Sequence, residues 1–117
     1  MDPVEPSRRR YPRLPSENLV LVNRVGDAEA EQLAHTRNVS LGGCRIIVRE
    51  RLGVGAVVQV LARIGDQVVD CFGRAVYEIK HRGGEFEVGI EFLYLSDADR
   101  RRLRTFLDGS PGAPTTG

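Results

Sequence analysis

The sequence predicts an all-β fold: a small six-stranded antiparallel β-barrel with one C-terminal α-helix. Three observations predict it. Short apolar runs of strand length recur from residue 18 onward, separated by turns that carry glycine. The clearest run alternates strictly, with Phe86, Val88, Ile90 and Phe92 set between Glu85, Glu87, Gly89 and Glu91. After Ser96 the apolar period becomes helical. Closure into a barrel follows because a small open sheet would leave two unpaired edges in water.

The first seven residues hold two prolines and two acids without periodicity and are expected to be flexible. Arg8-Arg9-Arg10-Tyr11-Pro12-Arg13-Leu14-Pro15 follows, and its prolines forbid regular helix, so its arginines are expected on a mobile arm. Strands are expected over 18–25, 32–39, 44–48, 57–64, 68–79 and 86–92, with residues 27–31 as a loop. Gly65-Asp66 reads as a two-residue hairpin turn, since glycine supplies positive φ at the first central position. Gly73, inside a long strand, marks a bend or bulge, and Gly83-Gly84 a further turn. Ser96-Asp97-Ala98-Asp99 is a capping box, with Leu95, Leu103, Phe106 and Leu107 as the docking stripe of the helix behind it. Arg100, Arg101, Arg102 and Arg104 complement its dipole and read as a solvated face. Residues 108–117 are expected to form a disordered tail.

A chain of 117 residues is one domain whose core is large enough to fold without metal or disulfide. The net charge of +1 gives no global case for nucleic acid. Local charge matters more: residues 7–13 carry four arginines and no acid. Sixteen arginines accompany a single lysine, Lys80, throughout the chain, so arginine position carries the argument and arginine number does not. Cys44 and Cys71 lie in apolar runs and read as small core residues; with His35 and His81 isolated, there is no zinc signature. No metal or cofactor is expected. Residues 1–7 lack a signal-peptide apolar segment and no stretch is long enough to span a membrane, so the expected location is cytoplasmic. Nucleophile elbow, Walker loop, Cys–His pair and paired carboxylates at a cleft are all missing from the sequence, and no enzyme is expected. The glutamates of the last strand read as its wet side.

The chemistry concentrates in Asn38-Val39-Ser40-Leu41-Gly42-Gly43. Asn38 and Ser40, two residues apart on extended backbone, point the same way. The glycines allow positive φ or close approach by another molecule. The same residues also suit an Asx- or Ser-type turn that satisfies its own backbone. Upstream arginines break the tie.

Taken together these segments resemble the PilZ domain family. Arg9-Arg10-Tyr11-Pro12-Arg13 matches its RxxxR motif through Arg9 and Arg13, and Asn38, Ser40 and Gly43 match its (D/N)xSxxG motif. Gly73-Arg74-Ala75-Val76-Tyr77 and Val88-Gly89-Ile90-Glu91-Phe92 continue the likeness, which covers residues 8–107. The resemblance implies a barrel that binds the bacterial second messenger cyclic di-GMP and signals to a protein partner. Guanidinium forks suit phosphate oxygens and guanine O6 and N7, and they stack on bases. The ligand residues it implies are Arg8, Arg9, Arg13, Asn38, Ser40 and Gly43, with Arg10, Gly42 and Tyr77 as further candidates. In the family an arginine at the position of Arg8 goes with two stacked ligand molecules. Tyr77 suits either base stacking or a strand rim. Two alternatives remain: a barrel binding single-stranded nucleic acid through the arm, disfavoured by only seven aromatics, and a PilZ-like interaction module without nucleotide.

Overall fold

The structure is a computed structural model that describes residues 14–15 and 18–109. The N-terminal residues expected to be flexible, the arginine arm up to Arg13 and residues 110–117 of the expected tail lie outside the described residues.

Period-two alternation builds the strands β1 (Leu14–Pro15), β2 (Leu19–Arg24), β3 (Gln32–Val39), β4 (Gly43–Val48), β5 (Val57–Ile64), β6 (Gln67–Lys80) and β7 (Phe86–Leu95). A 3₁₀ turn at Ala28–Ala30 occupies the expected loop, and α1 (Asp97–Gly109) follows β7. The sheet runs β1-β3-β2-β5-β6-β7-β4, and a further β3–β4 pairing closes the six strands from β3 to β4 into a ring, with β1 added beside β3. The result is a closed six-stranded antiparallel barrel with one C-terminal helix, as expected.

Strand ends shift by one residue at β2, β4 and β6, β7 runs on to Leu95 where 92 was expected, and the arm and the tail differ as well. Leu14 and Pro15 pair with Val39 and Asn38, so the end of the arm is sheet. Proline is tolerated there because a two-residue strand on the rim needs no donor from it. Helix α1 continues through Asp108 and Gly109, into the segment expected to be tail.

Inward residues of every barrel strand form one core, with Val22, Ile46, Val58, Ala75 and Val88 fully enclosed. Leu103 of α1, 1% exposed, plugs this core, with Phe106 and Leu107 packed at its edge. Both cysteines are buried and unbridged. Burial, then the charges of Asp70 and Asp99, pushes the Cys71 thiol up to about 12, so it stays protonated. Gly65 has φ 64°, the value the two-residue turn between Ile64 and Gln67 demands. The register of β6 against β7 shifts between Phe72 and Gly73, the expected bulge, and again between Ala75 and Tyr77.

The Ser96 hydroxyl accepts from Asp99 N–H at 3.0 Å and donates to the Asp99 carboxylate at 3.1 Å. Ser96→Ala is therefore expected to lower stability by about 1 kcal/mol, read as a lower urea midpoint at unchanged m-value.

Candidate functional site

The β3–β4 turn carries the motif. Ser40 is 6% exposed. Its hydroxyl accepts from Gly42 N–H at 3.1 Å and donates to Gly43 C=O at 3.2 Å, while its own N–H donates to the same carbonyl at 2.8 Å. The self-satisfying Ser turn that these residues also suit is formed here.

Gly43 departs from expectation. It has ordinary φ and is the first residue of β4, paired with Glu91. A Cβ at Gly43 would collide with the carbonyl oxygen of Ile90. The close approach that demands glycine is that of strand β7. Gly42 caps the turn with its carbonyl, which accepts from Phe92 N–H at 2.9 Å.

Asn38, next to last in β3, lies opposite Arg45. The amide orientation that satisfies both side chains sets its oxygen 2.8 Å from Arg45 Nη2 and 3.1 Å from Nε. Arg45 Nη1 in turn reaches Glu87 Oε2 at 3.3 Å, and the Tyr77 hydroxyl donates to that oxygen at 2.8 Å. His81 Nε2 lies 3.2 Å from the other oxygen, Oε1. Four strands thus contribute to one chain of contacts, from Asn38 through Arg45 and Glu87 to Tyr77. The geometry depends on Gly89: it pairs with both Arg45 and Tyr77, and any Cβ there would strike the Tyr77 ring.

Glu87 corrects the sequence reading, because its side chain is only 14% exposed and is the hub of these contacts. Alternation marked it as wet. It is enclosed because Tyr77 lies across the bare backbone of Gly89. Arg45, Glu87 and His81 were not among the expected site residues. The only hint was Arg45 inside an apolar run, two residues after Gly43.

Burial pushes the Glu87 carboxyl up, but hydrogen bonds from Tyr77 and Arg45 and the nearby cations outweigh it and hold the group below its ordinary 4.5. A depressed folded-state pKa contributes stability that is complete above 4.5 and is lost as pH falls through the folded value. Tyr77 moves the other way. Burial, then the Glu87 hydrogen bond and charge, raises its phenol to about 12 despite Arg45. Glu87→Gln removes the charge and weakens the bond, so tyrosinate absorbance is expected to show one phenol titrating at distinctly lower pH than in the native chain. An unchanged titration would place Tyr77 elsewhere.

The barrel, its closing helix and the Ser-Gly turn beside β1 define a class of domain, and the comparisons give it a name. The family model described as PilZ domain matches residues 7–109, and this chain belongs to that family. No curated protein sequence matches it closely enough to count as a relative. Among solved structures, the Bacillus subtilis inhibitor of motility MotI/DgrA superposes with TM-score 0.74 at 15% identity, over 85% of this chain and 49% of that one. YcgR from Escherichia coli in complex with c-di-GMP gives TM-score 0.68 at 21% identity, over 84% of this chain and 43% of that one. The PilZ domain of YcgR with c-di-GMP gives 0.61 at 16%, over 83% and 86%. At these identities the likeness is one of fold. This chain spans about half the length of the first of those proteins. Among the described residues no helix is long and apolar enough to cross a membrane.

Proposed function

We propose that this chain is a cyclic di-GMP receptor that acts on a protein partner and catalyses no reaction itself. The observation that carries the reading is the pairing of β1 with β3. Leu14 lies opposite Val39 and Pro15 opposite Asn38, so the chain emerging from the arginine arm is fixed beside the second motif. Arg13 is one peptide bond from Leu14. The residues that directly follow the first motif therefore pair on the strand that carries Asn38 of the second.

The roles follow from donor chemistry. Arg9 and Arg13 grip phosphate oxygens or guanine O6 and N7. Asn38, whose oxygen is taken by Arg45, offers its NH₂ to guanine acceptors. Ser40 and Gly42 hold the turn that presents Asn38, and Gly43 lets that turn sit against β7. Arg45, paired with Asn38, adds a guanidinium, and Tyr77, linked to Arg45 through Glu87, adds a ring, both suited to stacking on a base. Arg8 and Arg10 supply further cations. Solved structures of the fold with c-di-GMP bound support the reading. So does the lack of interleaved aromatics that a single-strand binder would need.

The test is isothermal titration of the chain with cyclic di-GMP, a single-stranded oligonucleotide and GMP. Saturable binding of cyclic di-GMP alone is the expected result; equal binding of the oligonucleotide would transfer the arm to nucleic acid. Stoichiometry adds a second expectation. A stacked ligand pair carries four phosphate charges, and Arg8 is the best-placed extra cation. Arg8→Leu is therefore expected to lower saturation from about two ligands per chain toward one while binding persists. A native ratio of one would remove the premise.

A further inference from the structure

Barrel strands turn alternate side chains outward, and that surface is ordinarily polar. On β2, β3, β5 and β6 part of it is apolar. Leu33, Leu21 and Leu61 stand in one cross-strand row that ends on Asp70. Leu19 lies two residues before Leu21 on the same face, and Val68 pairs with Arg63. Leu19, Leu33 and Val68 are each more than half exposed, at 54%, 60% and 53%. With Leu21 and Leu61 they border a shallow hollow of about 230 Å³. Contiguous apolar surface of this kind marks a contact face, unlike scattered single leucines.

We propose that a second copy of this chain covers it, through a two-fold contact. The charges on the face specify the occupant. Arg63 and Asp70 occupy opposite corners of a square whose other corners are Leu61 and Val68, since Arg63 pairs with Val68 and Leu61 with Asp70. A two-fold axis laid in the contact plane along the Leu61–Val68 diagonal sets these two residues against their own counterparts. The same axis brings Arg63 of each copy opposite Asp70 of the other. It also turns Leu19 toward Phe72, a ring 38% exposed and two residues beyond Asp70 on the same face. Among the described residues Arg63 has no ion-pair partner, and Asp70 holds only a 3.2 Å hydrogen bond from Gln59. One unpaired cation and one weakly engaged anion, placed symmetrically about an apolar diagonal, complement themselves. A strongly acidic or basic partner would leave one of them opposed by like charge.

A six-stranded barrel curves away from a flat contact, so the buried surface falls short of the ~800 Å² per partner of a standard interface and the dimer is weak. The face is distinct from the β3–β4 turn and the inference does not depend on what binds there.

Sedimentation equilibrium of the full chain, with and without cyclic di-GMP, tests it. A reversible dimer with a dissociation constant in the range of about 10–500 μM is expected in both conditions. Val68→Glu, at an exposed position near the hairpin, should weaken it about tenfold or more at unchanged thermal midpoint. Arg63→Asp and Asp70→Arg should each be monomeric alone, because each sets like charges opposite one another. Mixed in equal amounts they should form a heterodimer, because both facing pairs are then opposite in sign. A native chain that stays monomeric to about 1 mM would overturn the proposal, as would single variants that dimerise normally or a mixture that fails to associate.

Discussion

Gly43→Ala is expected to destabilise the domain by about 3 kcal/mol or more, at the upper end of the range for overpacking. The added methyl would be driven into the Ile90 carbonyl and against Glu91 Cα, which are backbone atoms of β7. A rotamer change cannot relieve a clash with backbone, so β4 must shift away from β7 and give up ladder hydrogen bonds along the six pairs from Gly43–Glu91 to Val48–Phe86. Gly83→Ala is the control, because a Cβ there meets nothing within 4 Å and φ is ordinary; it should be close to neutral. Urea unfolding of both variants decides the matter. A Gly43→Ala variant that kept native stability but lost cyclic di-GMP would restore the idea that this glycine makes room for ligand.

Gly43 also shows where sequence reading stops. Consecutive glycines after a strand look like turn chemistry, and the turn was placed correctly. The reason for the second glycine lies in β7, more than forty residues away, and the pairing of β4 with β7 leaves no local trace. Glu87 fails for the same reason. Its neighbours alternate as a half-wet strand should, but its enclosure depends on Tyr77, aimed by the register shift between Ala75 and Tyr77, and on the missing side chain at Gly89. Features set by local chemistry were legible. The bounds of β3 and β5, the Gly65 turn, the bulge at Gly73 and the Ser96 cap each follow from period, φ preference or a three-residue hydrogen bond. The motif residues were legible as a set because arginine, Asn-x-Ser and glycine at fixed spacing are rare by chance in that order. The network behind them, Arg45 to Glu87 to Tyr77, is a property of strand order and was not.

Arg9→Ala and Arg13→Ala are each expected to weaken cyclic di-GMP binding by about tenfold or more. A guanidinium that reads guanine or phosphate bidentately is worth roughly 1–3 kcal/mol, and 1.4 kcal/mol is a factor of ten. Arg13 is expected to matter more. Leu14 is held opposite Val39, so the Arg13 Cα lies within about 3.8 Å of a backbone position already fixed by the sheet. Less ordering is left to be done at Arg13 when ligand arrives, and more of its contact energy survives as affinity. Arg9 lies four residues earlier, five peptide bonds from Leu14. Both losses should shrink as salt rises, because contacts between charged groups are screened. Neither variant should move the thermal midpoint, since neither substitution touches the core described between Val20 and Leu103. Titration calorimetry at two ionic strengths reads all of this. If both variants bound like the native chain, the arm would not be part of the site. If Arg9→Ala were the more damaging, the β1 anchor would not be what organises it.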